Sequence, residues 1–172
     1  MKISMKMQSI NGLRNKNGEI EREDIKKIIP YEDPFLMIDK IIYLGKKNII
    51  AIKDVKANEP WAKGHFVGFP IMPGALIIEG LGQAGTLLVR YNIPNHKEKD
   101  ILAYKIKKAQ FMYPVFPGNQ VRFEIKISRM KEKGALLKGK IFVEDRLCSK
   151  AKMILAIVDK KRFREKFSKK SV

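Results

Sequence analysis

Residues 64–86 read GHFVGFPIMPGALIIEGLGQAGT, and the fold turns on how this stretch is read. It carries His65, one of the chain's two histidines, and a single carboxylate, Glu79. Pro73 suits a first helical position, where its missing N–H removes nothing, and Gly68 and Pro70 mark a turn just before it. The pattern predicts a helix from Met72 or Pro73 to about Tyr91, ahead of the stop signals Asn92 and Pro94. Its residues are apolar or small on every side apart from Glu79, Gln83 and Thr86, which describes a core helix or a membrane span. Two prolines, the polar residues and several glycines break a run barely long enough to cross a bilayer, so a core helix is expected.

A carboxylate on such a helix has to be neutral, paired or functional, because an unpaired buried charge is costly. Gly80, Gly82 and Gly85 each cost a helix interior roughly 1 kcal/mol relative to alanine, which makes sense if another backbone or a ligand comes close. His65 stands just before the turn and can fold back toward the helix start, where free N–H groups and the positive dipole end point. A base, an acid and a set of oxyanion donors can therefore converge on one spot.

The segment His65-Phe66-Val67-Gly68-Phe69-Pro70-Ile71-Met72-Pro73-Gly74, followed by Glu79 and Gln83, resembles the signature of the FabZ-type (3R)-hydroxyacyl-acyl carrier protein dehydratases. Pro34-Phe35-Leu36-Met37-Ile38-Asp39, Asn58-Glu59-Pro60 and Pro114-Val115-Phe116-Pro117-Gly118-Asn119-Gln120 resemble three further segments of that family, in the same order. The resemblance implies an α+β hot dog fold, with a curved six-stranded antiparallel sheet wrapped around a long central helix. It also implies a homodimer with two interface sites, able to assemble further as a trimer of dimers. In such enzymes the motif histidine comes from one subunit and the helix carboxylate from the other. Carried over, His65 would take the C2 proton of a 3-hydroxyacyl thioester, and Glu79 would assist loss of the C3 hydroxyl. The N–H of Gly74 would hold the thioester oxygen, and Phe66 and Ile71 would complete substrate binding. The implied partner is the acyl carrier protein that bears the substrate, and the chemistry requires neither metal nor cofactor. Val67, Gly80 and Gly82 depart from the family's usual Pro, Ala and Ala, and Tyr31-Glu32-Asp33 replaces its usual His-Arg-Tyr.

Around this centre, 172 residues suffice for one domain with a sizeable core. Residues 1–20 are polar, without an apolar period or a signal-peptide core, and read as a flexible or loosely docked extension. Residues 21–159 form the expected domain. A short helix over 21–29 precedes strands at 35–44 and 48–55, joined by the turn Gly45-Lys46-Lys47. A helical turn brings Trp61 near the loop, as a packing residue. Beyond the central helix, His96 reads as an exposed loop residue. Strands are expected at 101–111, 120–131, 135–144 and 147–158, with one covered and one wet face. Residues 160–172 form a basic tail with Phe163 and Phe167 four apart, read as a solvated end.

The formal net charge is +18. An acidic carrier protein fits this balance, and by charge alone nucleic acid would too. The lysines alternate along the expected strands, which reads as a lysine-biased composition covering solvated faces, so no nucleic-acid partner is expected. Cys148 is the sole cysteine, in keeping with a reducing cytoplasm. Three other readings stay open on sequence. A hot dog thioesterase would bind similar thioesters. A dehydratase/isomerase resembles this group but carries Asp where Glu79 stands. A non-catalytic acyl- or nucleic-acid-binding protein would need only the fold and the charge.

Overall fold

The computed structural model of the chain describes residues 10–168. In chain order the elements are β1 (Ile20–Glu21), α1 (Arg22–Ile25), β2 (Lys40–Leu44), β3 (Asn48–Asp54), α2 (Gly74–Tyr91), a 3-10 turn (His96–Glu98), β4 (Lys99–Phe111), β5 (Gln120–Lys131), β6 (Gly134–Val143), β7 (Arg146–Asp159) and α3 (Lys160–Ser168). The strands form one antiparallel sheet in the order β1-β2-β3-β5-β6-β7-β4. Seven strands replace the expected six, the addition being the two-residue β1.

Alternation along the strands sends Phe123, Ile125, Leu137, Ile141 and Leu155 to the buried face, where α2 covers them. The helix lies close to the sheet. A methyl group at Gly80 would sit 2.6 Å from Phe123 Cζ, and one at Gly85 would sit 2.4 Å from Leu137 Cδ1. Gly80 and Gly85 thus make room for side chains of the sheet, not for a ligand or a second backbone. Burying this much aliphatic and aromatic surface is the main stabilising contribution, at about 25 cal/mol per Å² of apolar area removed from water.

Residues 35–39 were expected to begin β2, yet the strand starts only at Lys40. Only Asp39 N–H reaches the neighbouring strand, at Ile52 O, and side chains claim four of the backbone groups of residues 35–38. Gln83 bonds Phe35 O and Met37 N–H, and Arg22 donates to Leu36 O and Ile38 O. Arg22 also pairs with Asp33 and Asp39. The helix expected over 21–29 is a single turn, α1, continued by turn hydrogen bonds from Ile28 and Ile29 to Ile25 O.

Of the expected N-terminal extension, residues 1–9 lie outside the described residues. Ile10 is buried in the core, Arg14 donates to Leu44 O at 2.7 Å, and Ile20 is fully buried in β1. His96 is not the exposed loop residue expected, being 4 % accessible. Arg90, buried in the last turn of α2, requires carbonyl acceptors, and the loop folds back so that His96 O and Lys99 O supply them at 2.5 and 3.1 Å. The described part of the basic tail is α3, anchored by Arg164 to Asp100 at 3.0 Å, with the Phe163 and Phe167 rings 4.9 Å apart.

One feature of the sheet bears on assembly. β4 is an edge strand paired only with β7, and its residues 103–109 are all exposed. Tyr104 and Ile106 are 74 % and 52 % accessible. A long exposed edge of this kind offers unpaired N–H and C=O groups to another strand. Among the described residues no helix is long and apolar enough to cross a membrane.

Candidate active site

The approach to His65 is set from Glu59. One carboxylate oxygen accepts from Lys56 N–H at 2.9 Å and pairs with Lys53 Nζ at 3.0 Å, and the other accepts from Trp61 Nε1 at 3.0 Å. Burial pushes the Glu59 carboxyl up, but the bonds from Lys56, Trp61 and Lys53 outweigh it and hold the group below its ordinary value. Trp61, fixed in this way, offers its carbonyl to the N–H groups of Gly64 and His65 at 3.1 and 3.0 Å. The expected packing role of Trp61 therefore includes support for the loop.

The loop itself closes on His65. Ile71 N–H donates to His65 O at 2.8 Å, and Phe66 and Phe69 exchange backbone bonds of 3.1 and 3.0 Å around Gly68, whose φ is +74°. A glycine accepts that left-handed conformation without cost. His65 Nδ1 lies 2.7 Å from Ile71 O. A carbonyl oxygen can only accept, so Nδ1 carries a proton, and in the neutral ring the lone pair is then on Nε2. The half-buried imidazole stacks on the Phe66 ring at 4.2 Å. Phe66 and Ile71 thus both touch His65, Phe66 by its ring and Ile71 by its backbone.

Met72 N–H, bonded to Val115 O at 2.8 Å, ties the loop to the segment before β5 and delivers the chain into α2. Pro73 is the N-cap, and its carbonyl accepts the N–H groups of Leu76 and Ile77. The amides of Gly74 and Ala75 have no acceptor among the described residues. They stand at the positive end of an 18-residue helix, a ready-made site for a developing negative charge. Gly74 also lies against Phe111, since a methyl there would fall 2.8 Å from the ring's Cε1. Any side chain at position 74 would press on this ring beside the free amides.

Glu79 sits in the second turn of α2, half-buried. Gln83, fully buried one turn later, donates to Glu79 Oε1 at 3.0 Å and to Phe35 O at 2.9 Å, and accepts from Met37 N–H at 2.8 Å. Tyr31 is close by and packs on Phe35 with ring centroids 5.8 Å apart. Burial, and after it the charge of Glu79, push the Tyr31 hydroxyl up, which keeps it a proton donor at neutral pH. Gln83 stands in the sequence signature, but its clamp on residues 35–37 was legible only as a polar residue inside an apolar helix. Phe111, 37 positions after Gly74 and on another element, gave no signal.

Within one chain His65, Phe66, Ile71 and Gly74 gather around the start of α2, whereas no hydrogen bond links His65 to Glu79. Clefts of about 690, 1120 and 300 Å³ on the single chain are lined by neither of them. Phe66, Val67, Phe69, Phe111, Met112 and Tyr113 are all exposed on or next to the loop, with Val67 87 % accessible. Large apolar side chains gathered this way mark a surface that a partner or ligand covers. No group of three or more His, Cys, Asp or Glu able to hold a metal ion occurs among the described residues.

Comparison with known proteins matches residues 29–152 to the FabA-like domain. The 3-hydroxyacyl-acyl-carrier-protein dehydratase FabZ of Koribacter versatilis is 45 % identical over 136 residues, covering 78 % of this chain and 87 % of its own. The protein of the same name from Campylobacter concisus is 38 % identical over 147 residues, covering 82 % of this chain and 99 % of its own. Among solved structures, a chain of the dehydratase heterocomplex ApeI:P from Xenorhabdus doucetiae superposes with a TM-score of 0.71 at 14 % identity, over 82 % of this chain and 95 % of that one. A thioesterase of Haemophilus influenzae superposes with a TM-score of 0.56 at 18 % identity, over 73 % and 80 %. These two likenesses establish the hot dog fold and, being shared by a dehydratase and a thioesterase, nothing about the reaction. The matched domain and the extent of identity to the FabZ proteins decide the family: the chain belongs to the FabA-like family, among its FabZ-type dehydratases.

Proposed function

We propose that the protein dehydrates (3R)-hydroxyacyl chains carried on acyl carrier protein to trans-2-enoyl chains, as a homodimer in which each site joins His65 of one copy to Glu79 of the other. The observation that carries this reading is the 2.7 Å contact from His65 Nδ1 to Ile71 O. It selects the tautomer in which the neutral ring presents Nε2 as the base, held in one orientation before substrate arrives.

The reaction then follows from the groups present. Nε2 takes the C2 proton, and the thioester carbonyl oxygen gains negative charge. The free amides of Gly74 and Ala75 stabilise that charge, because preorganised donors aimed at a developing oxyanion cost no reorganisation when it forms. The C3 hydroxyl takes a proton from the acid form of the Glu79 carboxyl, which Gln83 orients, and leaves as water, and the proton held on Nε2 restores that carboxyl once product departs. The exposed β4 edge and the aromatic residues beside His65 support the dimer. Further assembly into a trimer of dimers belongs to the same proposal and rests on the resemblance to the family alone.

A 3-hydroxyacyl carrier-protein substrate tests the reaction. Dehydration yields a conjugated enoyl product, while a thioesterase would release free thiol. His65→Ala and Glu79→Gln are each expected to lower turnover at least about a hundredfold in a folded protein. Thiol release by the native protein, or near-normal dehydration by either folded variant, contradicts the proposal.

A further inference from the structure

The FabA-like match ends at residue 152, and beyond it the chain runs through the end of β7 into α3. No side chain of α3 is buried. A helix of nine residues is marginal in water without packing along one face, so α3 depends on polar anchors. Asp159 accepts from Arg162 N–H at 3.0 Å and caps the first turn, and Arg164 donates to Asp100 at 3.0 and 3.3 Å. Held in this way, the helix leaves a groove of about 1120 Å³ between itself and the end of the domain. Ile93, Pro94, Met130 and Ile157 line it from the domain, and Phe163 faces them from α3. Phe163 is half-buried, while Arg162, Arg164 and Lys166 around it are exposed. Ile157 N–H donates to Lys133 O at 3.0 Å, which joins β7 and the tip of the β5–β6 hairpin into one floor.

Charge surrounds this apolar floor. Lys99, Lys131, Lys133, Arg162 and Lys166 line the groove against Glu132 and Asp159. Lys99 and Asp159 face one another at 3.6 Å, which leaves four cations and one acid to meet an occupant. An apolar trough edged by cations suits a molecule with an aliphatic chain and an anionic head. We infer that this groove binds a long-chain aliphatic carboxylate, its chain laid on Ile93, Met130 and Ile157 under Phe163 and its head among Lys131, Lys133 and Lys166. The volume lies just above the range of about 300–1000 Å³ usual for small-molecule sites. His65, Gly74 and Glu79 are absent from the lining, so the occupant need not be the substrate. Other anionic partners fit the groove less well. Single-stranded nucleic acid is held by stacked rings, and Phe163 is the only ring in the lining. A helix lying on a bilayer turns its apolar face to the lipid, whereas Phe163 turns inward to the groove.

The test follows the methionine methyl resonances of the whole protein, labelled with carbon-13, as dodecanoate is added below its micellar concentration. Met130 lines the groove and Met112 is exposed next to the His65 loop, so the two report on different places. The Met130 resonance should shift to saturation. Affinity should rise by about fourfold for each methylene added between octanoate and dodecanoate, as more chain leaves water. The triple variant Lys131→Gln/Lys133→Gln/Lys166→Gln should bind at least about tenfold more weakly, with the resonance of the core residue Met153 unmoved as the check on folding. Dodecanol, with the same chain and no charge, should bind the native protein about as weakly as dodecanoate binds that variant. An equal loss of charge on the sheet's outer face, Lys126→Gln/Lys138→Gln/Lys150→Gln, should weaken dodecanoate by less than about twofold. A shift at Met112 with none at Met130 would place the carboxylate in the active site alone. Equal weakening by both triple variants, or equal binding of dodecanol, would remove the head-group contact. A Met130 shift that follows protein concentration without carboxylate would put a second copy of the chain in the groove, and one seen only with phosphatidylglycerol vesicles would put a membrane there. Any of these results overturns the inference.

Discussion

Gln83 holds Glu79. Its amide nitrogen lies 3.0 Å from Glu79 Oε1 and 2.9 Å from Phe35 O, so one buried side chain fixes both the carboxyl group of the central helix and the loop that runs past it. Replacing Gln83 by Leu keeps the volume and removes the donors and the acceptor. Phe35 O and Met37 N–H then lose their partners, at about 1–3 kcal/mol for buried groups left unsatisfied. Urea denaturation should show that loss. Turnover should fall by about tenfold or more as Glu79 loses its orientation, through kcat more than KM. A variant that is destabilised yet fully active would confine Gln83 to a structural role.

Glu59 makes stability depend on acid. Its carboxyl is held below the ordinary value, so its contribution is present above the unfolded pKa, about 4.3, and is lost as pH falls through the lower folded value. Glu59→Gln leaves Lys53, 5 % accessible, without its counter-charge. The cost should be about 3 kcal/mol at pH 7, and the gap between variant and native protein should close as pH drops below about 4. Denaturation midpoints measured between pH 3 and pH 7 check both statements. A gap that stays constant with pH would remove the charge from the explanation.

Two neighbouring glycines of α2 should respond in opposite directions. A methyl at Gly82 meets only Met153 Cε at 3.7 Å, an ordinary contact, so Gly82→Ala should stabilise by up to about 1 kcal/mol through helix propensity. A methyl at Gly80 meets Phe123 Cζ at 2.6 Å, and Phe123 is fully buried with no room to withdraw. Gly80→Ala should therefore destabilise by about 1–3 kcal/mol from overpacking. Adding Phe123→Leu should recover part of that loss in a double-mutant cycle.

Much of this was legible in the residues. Pro73 and the apolar run behind it gave the helix within one or two positions, and the alternation in residues 120–131 gave β5 at its observed ends. What failed had a common cause: backbone groups satisfied by side chains whose reach the local pattern does not show. The stretch 35–39 looks like a strand, but Gln83, 48 residues from Phe35, and Arg22, 14 residues from Leu36, take four of its backbone groups. His96 is flanked by charged residues and looks exposed, yet Arg90 draws its carbonyl inward. At the site, the histidine, the helix start and the carboxyl group were visible as residue types at their spacing. The tautomer of His65 was not, because it depends on where Ile71 O points after the loop closes.

The central claim is that two copies of the chain share each site, and mixing two inactive proteins tests it most directly. His65→Ala and Glu79→Gln should each be nearly inactive alone. If the histidine and the carboxyl group come from different copies, a mixed dimer holds one site with both native groups, and random exchange of subunits should restore roughly a quarter of native activity. If both groups act within one chain, every site in the mixture lacks one of them, and a mixture no more active than its parents, with exchange verified by mass, would contradict the account.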